Sequence, residues 1–278
     1  ADYLTGPNQL EAASTFYNQL IDIDPYNASY WVGLAKCRFA AEDCEKAIEA
    51  CDFALAADDK CGEAYAYRGH SYFYLNNSDA AIEDYKKAIK YKALPPEMGY
   101  MFLGLTYSNK EAWKEADDYY QRVIDRFIEE GLGNSPLLID TYTNKAVAAS
   151  RLGKYEEAHQ LCKKAIAIQP DDPAIYLAEG KLYIQENQKK KAVKSFDKAL
   201  TMEPSAEMWY MVASAYSDAE YLYQAKLCFQ EAYRIDPNYA DIAEKLSVLS
   251  LMHNEIDDFF KYNNESEHPI SEDIILDL

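Results

Sequence analysis

The chain has 278 residues, 49% of them hydrophobic and 27% charged, and a net charge of −19 from 47 acidic and 28 basic side chains. That balance suits a folded soluble protein. It argues against nucleic acid or an anionic membrane surface as partner, because both are held by Lys and Arg facing phosphate. Acidity alone keeps a protein in solution, and it also steers a basic partner; both readings stay open. No apolar run approaches the about 20 residues of a membrane span. Glycine and proline, ten of each, are too few for a strand-and-turn protein and favour long helices.

In chain order, the first expected helix runs roughly from Gln9 to Ile23. Ala35, Gly69, Gly104, Ala146, Gly180 and Ala213 then form a series of small residues. Twelve residues after each comes an alanine: Ala47, Ala81, Ala116, Ala158, Ala192 and Ala225. Seven further on lie Ala54, Ala88, Val123, Ala165, Ala199 and Ala232. Four before the small residue is an aromatic: Trp31, Tyr65, Tyr100, Tyr142, Tyr176 and Trp209. Aromatics recur three after it (Tyr72, Tyr107, Tyr183, Tyr216) and three before the last alanine (Tyr85, Tyr120, Phe196, Phe229). Pro170, Pro204 and Pro237 close the later units. Small residues let two helices cross closely, and aromatics fill the gaps beside them, so the abundant tyrosines, 25 in all, are expected to be mainly packing residues. No unit buries its faces alone, so neighbours share stability.

This pattern resembles the tetratricopeptide repeat, in which W-x2-L-G-x2-Y is followed by A-x3-F, A and P in about 34 residues. The resemblance implies an all-α, right-handed superhelical solenoid of antiparallel helix pairs, A and B. The expected array spans 1–262: a partial repeat at 1–27, repeats at 28–61, 62–96, 97–138, 139–172, 173–205 and 206–239, and capping helices at 240–262. An acidic and apolar tail follows at 263–278. Ala13, Tyr17, Leu20 and Pro25 fit the second half of a unit, so the chain is expected to begin inside a repeat. The long third spacing marks an insertion at 129–138, read as helix B running on to Glu130, glycine stops at Gly131 and Gly133, and an early restart at Ser135 and Pro136. It is either a binding element or tolerated drift. Tyr239 to Met252 and Glu255 to Tyr262 are expected as the capping helices. The final stretch from Ile270 to Leu278 is either packed on the cap or a docking segment that folds on contact.

No catalytic arrangement appears. His70, His159, His253 and His268 are scattered, and the spacing of Cys37, Cys44 and Cys51 matches no zinc signature. With Cys61, Cys162 and Cys228 they read as small buried residues kept reduced, which favours the cytoplasm. Lys189, Lys190, Lys191, Lys194 and Lys198 form a basic cluster, read as a solvated convex face. No enzyme activity, cofactor or metal is expected.

In the family, helix A lines a concave groove. Carried onto this sequence, the groove positions are Val32, Lys36 and Phe39, then Tyr67, His70, Phe73 and Tyr74, then Met98, Met101, Phe102 and Leu105, then Asn144. The second and third units thus offer an aromatic and methionine-rich patch suited to peptide capture. The Lys/Asn clamp by which some co-chaperones grip chaperone carboxylates is absent: Val32 and Lys36, Tyr67, and Met98 and Phe102 stand at its places. The expected function is an interaction scaffold for a basic or apolar peptide or protein segment. The alternative is a regulatory module of a larger protein, whose ligand shifts the curvature of the array.

Overall fold

The structure, a computed structural model, describes residues 7–131, 133 and 135–270. Every regular element among them is a helix. The chain divides into two compact units, 1–148 and 149–278, with the division inside one helix. The first unit holds α1 (Pro7–Ile23), α2 (Ala28–Ala40), α3 (Cys44–Ala57), α4 (Gly62–Tyr74), α5 (Ser78–Lys90), α6 (Pro96–Asn109), α7 (Trp113–Glu130) and most of α8 (Pro136–Arg151). The second continues through α9 (Tyr155–Ile168), α10 (Pro173–Gln185), α11 (Lys189–Met202), α12 (Ala206–Asp218), α13 (Leu222–Ile235), α14 (Ile242–Met252) and α15 (Ile256–Asn263).

Local chemistry sets the helix ends. Side chains of Asn27, Asp43, Asn77, Asp172 and Ser205 accept from backbone N–H groups of the turn they open. Pro96 and Pro173 occupy first helical positions, where no N–H is needed. The turn inside each helix pair bends through one left-handed residue at the same place in every unit: Glu42, Asn76, Glu111, Gly153, Asn187 and Glu220. α7 ends in Gly131, which is also left-handed at φ 68° and closes the long helix.

Packing follows the small and large positions of the sequence. A methyl group added to Gly180 would lie 2.3 Å from Phe196, and one on Gly104 would lie 2.5 Å from Tyr120. Tyr85, Tyr120, Phe196 and Phe229, all at one repeat position, are almost wholly buried. The aromatic at the fourth position has a second task. Trp31 donates to the Pro25 carbonyl at 2.8 Å, Tyr65 to that of Asp59 at 3.1 Å and Tyr176 to that of Pro170 at 2.8 Å. Each fastens helix A to the loop before it.

In the second unit one core runs from Tyr176 and Leu177 through Phe196, Met208 and Phe229 to Ile242, Leu246 and Tyr262. The basic cluster of α11 is partly engaged within that unit. Lys189 lies 4.6 Å from the Tyr221 ring and Lys191 5.2 Å from Tyr183; Lys198 lies 4.0 Å from Tyr176 and donates to its hydroxyl. After α15, the buried Asn263 amide holds Ile270 by two hydrogen bonds, accepting from its N–H at 2.8 Å and donating to its carbonyl at 3.1 Å. Residues 271–278, the rest of the stretch expected either to pack on the cap or to dock, lie outside the described residues, as do 1–6.

Candidate protein-binding surface

Helices α2, α4 and α6 build the candidate surface in the first unit. On α4, Tyr67, His70 and Tyr74 are spaced three and four residues apart, which puts them on one helix face. Phe39 from α2 and Phe102 from α6 flank them. Phe39 lies 6.0 Å from Tyr67, 5.9 Å from His70 and 5.5 Å from Tyr74 between ring centres. His70 meets Phe102 edge to face at 4.6 Å, and Phe73 meets Tyr74 at 6.1 Å. Six of the residues named from sequence thus form one continuous aromatic cluster. Tyr74 is 67% exposed, while Phe39, Tyr67, His70, Phe73 and Phe102 are half-buried.

Two of the named residues do not belong to the surface. Val32 is 4% and Met101 6% exposed. Val32 lies in a core that includes Ile21 of α1, and the Met101 sulfur accepts a hydrogen bond from the Thr141 hydroxyl of α8. Ala66 and Leu177, at the same repeat position, are equally buried. In these four units the fifth position is covered, so its side chains lie beneath the surface, whereas Thr143 and Tyr210 at the same position of the fourth and sixth units are half-buried. Met98 and Leu105 are half-buried on α6. Asn144 is half-buried too, and its amide donates to the Asp140 carbonyl of its own helix, outside the aromatic cluster.

The sequence reading missed the floor. Tyr85 of α5, read there as a packing residue, stacks on Phe102 at 5.3 Å and 14°. Its hydroxyl lies 3.0 Å from Nδ1 of His70. Burial lowers the pKa of His70 to about 4 and pushes the Tyr85 hydroxyl well above its ordinary value. With the imidazole neutral, Nδ1 and the Tyr85 hydroxyl share one hydrogen bond whose direction is set by the histidine tautomer. At one edge, Lys36 pairs with Glu63 at 2.6 Å and lies 5.4 Å from the Tyr67 ring. Burial works against the Lys36 charge, but Glu63 outweighs it and holds the pKa above the usual lysine value.

The neutral histidine gives the surface a pH dependence. An unfolded histidine titrates near 6.5 and the folded one near 4, so the unfolded state binds more protons between these values. Stability from this residue is therefore full above pH 6.5 and is lost as pH falls toward 4. His70→Gln should flatten that part of the profile in urea melts recorded between about pH 4.5 and 7.5. An unchanged slope would mean that His70 is not what is titrating.

Nothing else among the described residues resembles a reactive centre. No group of three His, Cys, Asp or Glu side chains is placed to hold a metal. The six cysteines are free, and burial pushes the thiols of Cys51, Cys162 and Cys228 up to about 12, which keeps them protonated. No helix among the described residues is long and apolar enough to cross a membrane.

Comparison with known proteins places these features. Family models described as tetratricopeptide repeat match residues 98–171, 150–215, and 62–93 together with 206–239. The human protein O-mannosyl-transferase TMTC3 is 28% identical over 182 residues, which is 59% of this chain but 20% of the human protein. The chain therefore spans only about a fifth of that relative's length. Among solved structures, a tetratricopeptide repeat protein from Parabacteroides merdae superposes with a TM-score of 0.71 at 18% identity, covering 87% of this chain and 93% of that one. YrrB, described as a TPR protein with an unusual peptide-binding site, gives 0.54 at 19% identity over 70% of this chain and 96% of its own. At these identities the two structures speak for the fold alone.

Proposed function

This chain belongs to the tetratricopeptide-repeat family, whose members generally serve as protein-interaction scaffolds, and from that premise we propose that it captures a peptide or protein segment on the aromatic surface of α2, α4 and α6. The observation that carries this reading is the continuity of six half-buried or exposed rings drawn from three successive A helices. Residues needed only for packing would be covered, as Tyr85 is at 1% exposure, whereas Tyr74 stands open at 67%. Large, rigid aromatic side chains bury much area for little lost entropy, which is why they dominate binding hot spots. The mechanism is burial of apolar area, with no covalent step. The peptide-binding site in the description of YrrB is in keeping with it. The transferase in the name of the human relative belongs to a protein of which this chain matches a fifth, and nothing in the aromatic surface offers group-transfer chemistry.

The test is capture from a lysate by the original chain and by Tyr67→Ala/Phe73→Ala/Tyr74→Ala, with helix content checked by circular dichroism. These three replace exposed or half-buried rings and leave Met101 and Val32 in the core untouched. A specific binder should weaken about tenfold or more, since truncating a central aromatic anchor typically removes over 1 kcal/mol. Equal capture by both proteins would remove the surface from consideration.

A further inference from the structure

At its Phe39–Tyr74 edge the aromatic surface opens into a cleft of about 540 Å3 between the α2–α3 turn and the end of α4. Its apolar lining is Phe39, Tyr74 and Leu75, with Tyr74 67% and Leu75 43% exposed. The ring contacts of Tyr74 with Phe39 and Phe73 are both edge-type, at 62° and 88°, so no ring is stacked face to face upon it. Ala40 and Cys44 also line it, as do Glu42 and Glu45. Both are exposed, and neither carboxylate has a hydrogen-bond or ion-pair partner among the described residues. Lys46 beside them does not neutralise them, being held by Asp43 at 2.7 Å. The field there is negative: burial first, then the carboxylates of Glu45, Asp43 and Glu42, raise the pKa of the Cys44 thiol at the cleft wall.

We propose that this cleft receives the cationic side chain of an arginine or lysine set among apolar residues of the bound segment. Aromatic π faces attract a guanidinium or ammonium group, and two free carboxylates supply charge and acceptors for it. An apolar side chain in the same place would desolvate both carboxylates without return. An acidic or phosphorylated segment meets like charge and is rejected. The net charge of −19 acts in the same direction at long range, drawing basic segments toward the chain. The inference rests on the proposed binding surface and names the chemistry of what occupies one end of it.

A displayed random dodecapeptide library tests it, selected in parallel on four proteins: the original chain, Glu42→Gln/Glu45→Gln, a charge-matched control Glu83→Gln/Glu115→Gln at two exposed positions of α5 and α7 that do not line the cleft, and Tyr67→Ala/Phe102→Ala. Peptides enriched on the original chain and on the control should combine apolar or aromatic residues with arginine or lysine, the basic residues several-fold above their library frequency. On Glu42→Gln/Glu45→Gln the basic preference should fall to the library level while apolar enrichment persists. Apolar enrichment with no basic preference on the original chain, or a basic preference that survives loss of both glutamates, would overturn the inference and leave the aromatic surface standing. Selection that yields the same peptides on Tyr67→Ala/Phe102→Ala, or none on any protein, would overturn the surface and the inference together.

Discussion

Replacing Phe196 by alanine is expected to destabilise the second unit by about 3–5 kcal/mol, the range for removing a fully buried large aromatic side chain. Phe196 is 1% exposed, meets Tyr216 edge to face at 5.1 Å and packs from α11 against Gly180 of α10. The sharper result concerns its partner. Gly180→Ala alone adds a methyl 2.3 Å from the Phe196 ring, so something must shift. Overpacking of this kind costs about 1–3 kcal/mol. In the Phe196→Ala background the same methyl enters vacated space, and alanine is a better helix former than glycine by about 1 kcal/mol. Gly180→Ala should then change sign, from destabilising to stabilising. Urea midpoints of the four proteins, followed by far-ultraviolet circular dichroism, close the cycle. If Gly180→Ala is equally destabilising in both backgrounds, the glycine is not there to admit the ring.

That cycle also shows which part of the fold is legible in a sequence. Gly180 and Phe196 are sixteen residues apart, as are Gly104 and Tyr120, and Gly69 and Tyr85. The repetition announces a helix crossing, because only a small residue lets a large one in at that distance. The tight turns are half legible. Asn76, Gly153 and Asn187 are residue types that tolerate a left-handed backbone, but Glu42, Glu111 and Glu220 occupy the same place in their units and give no such signal. There the surrounding helix pair imposes the conformation.

The candidate surface was legible in outline and wrong in depth. Repeat positions nominated Phe39, Tyr67, His70, Phe73, Tyr74 and Phe102, which the structure joins through their rings. The same positions nominated Val32 and Met101, which neighbouring helices cover. A position on a helix says which way a side chain points; what lies opposite comes from a residue tens of positions away, such as Thr141 for Met101. Glu42 and Glu45 escaped notice for a related reason. Exposed glutamates are abundant in an acidic chain, and only the cleft beside Tyr74 sets these two apart. The basic cluster of α11 is solvated as read, with Lys190, Lys191, Lys194 and Lys198 exposed, but the sequence did not show that three of its five lysines also lie on tyrosine rings.

The interaction least visible in the sequence has the second large expected effect. Arg68 on α4 grips Asp84 on α5 with two parallel hydrogen bonds, Nε at 2.7 Å and Nη2 at 2.9 Å, and reaches Asp52 on α3 at 2.5 Å through Nη1. Asp84 has a side chain only 3% exposed, Arg68 18% and Asp52 55%. The consequences of breaking the group are therefore unequal. Arg68→Met should cost about 3–5 kcal/mol, because it strands the Asp84 carboxylate inside the protein. Asp52→Asn removes an exposed partner and should cost under about 1 kcal/mol. Arg68→Lys keeps the charge but loses the planar fork, and should fall between them. The double replacement Arg68→Met/Asp84→Leu removes both charges at once and should recover most of the loss, since a buried ion pair contributes little beyond what apolar packing would supply. Urea denaturation of these four variants separates the possibilities. A double variant no more stable than Arg68→Met would show that the arginine acts through its packing between the Tyr65 and Tyr72 rings, 5.5 and 6.0 Å away, rather than by neutralising Asp84. Recovery would show that the stranded carboxylate is the whole of the damage. α4 would then be held between α3 and α5 by charge satisfaction at Arg68, while Tyr67, His70 and Tyr74 of the same helix join the aromatic cluster with Phe39 and Phe102.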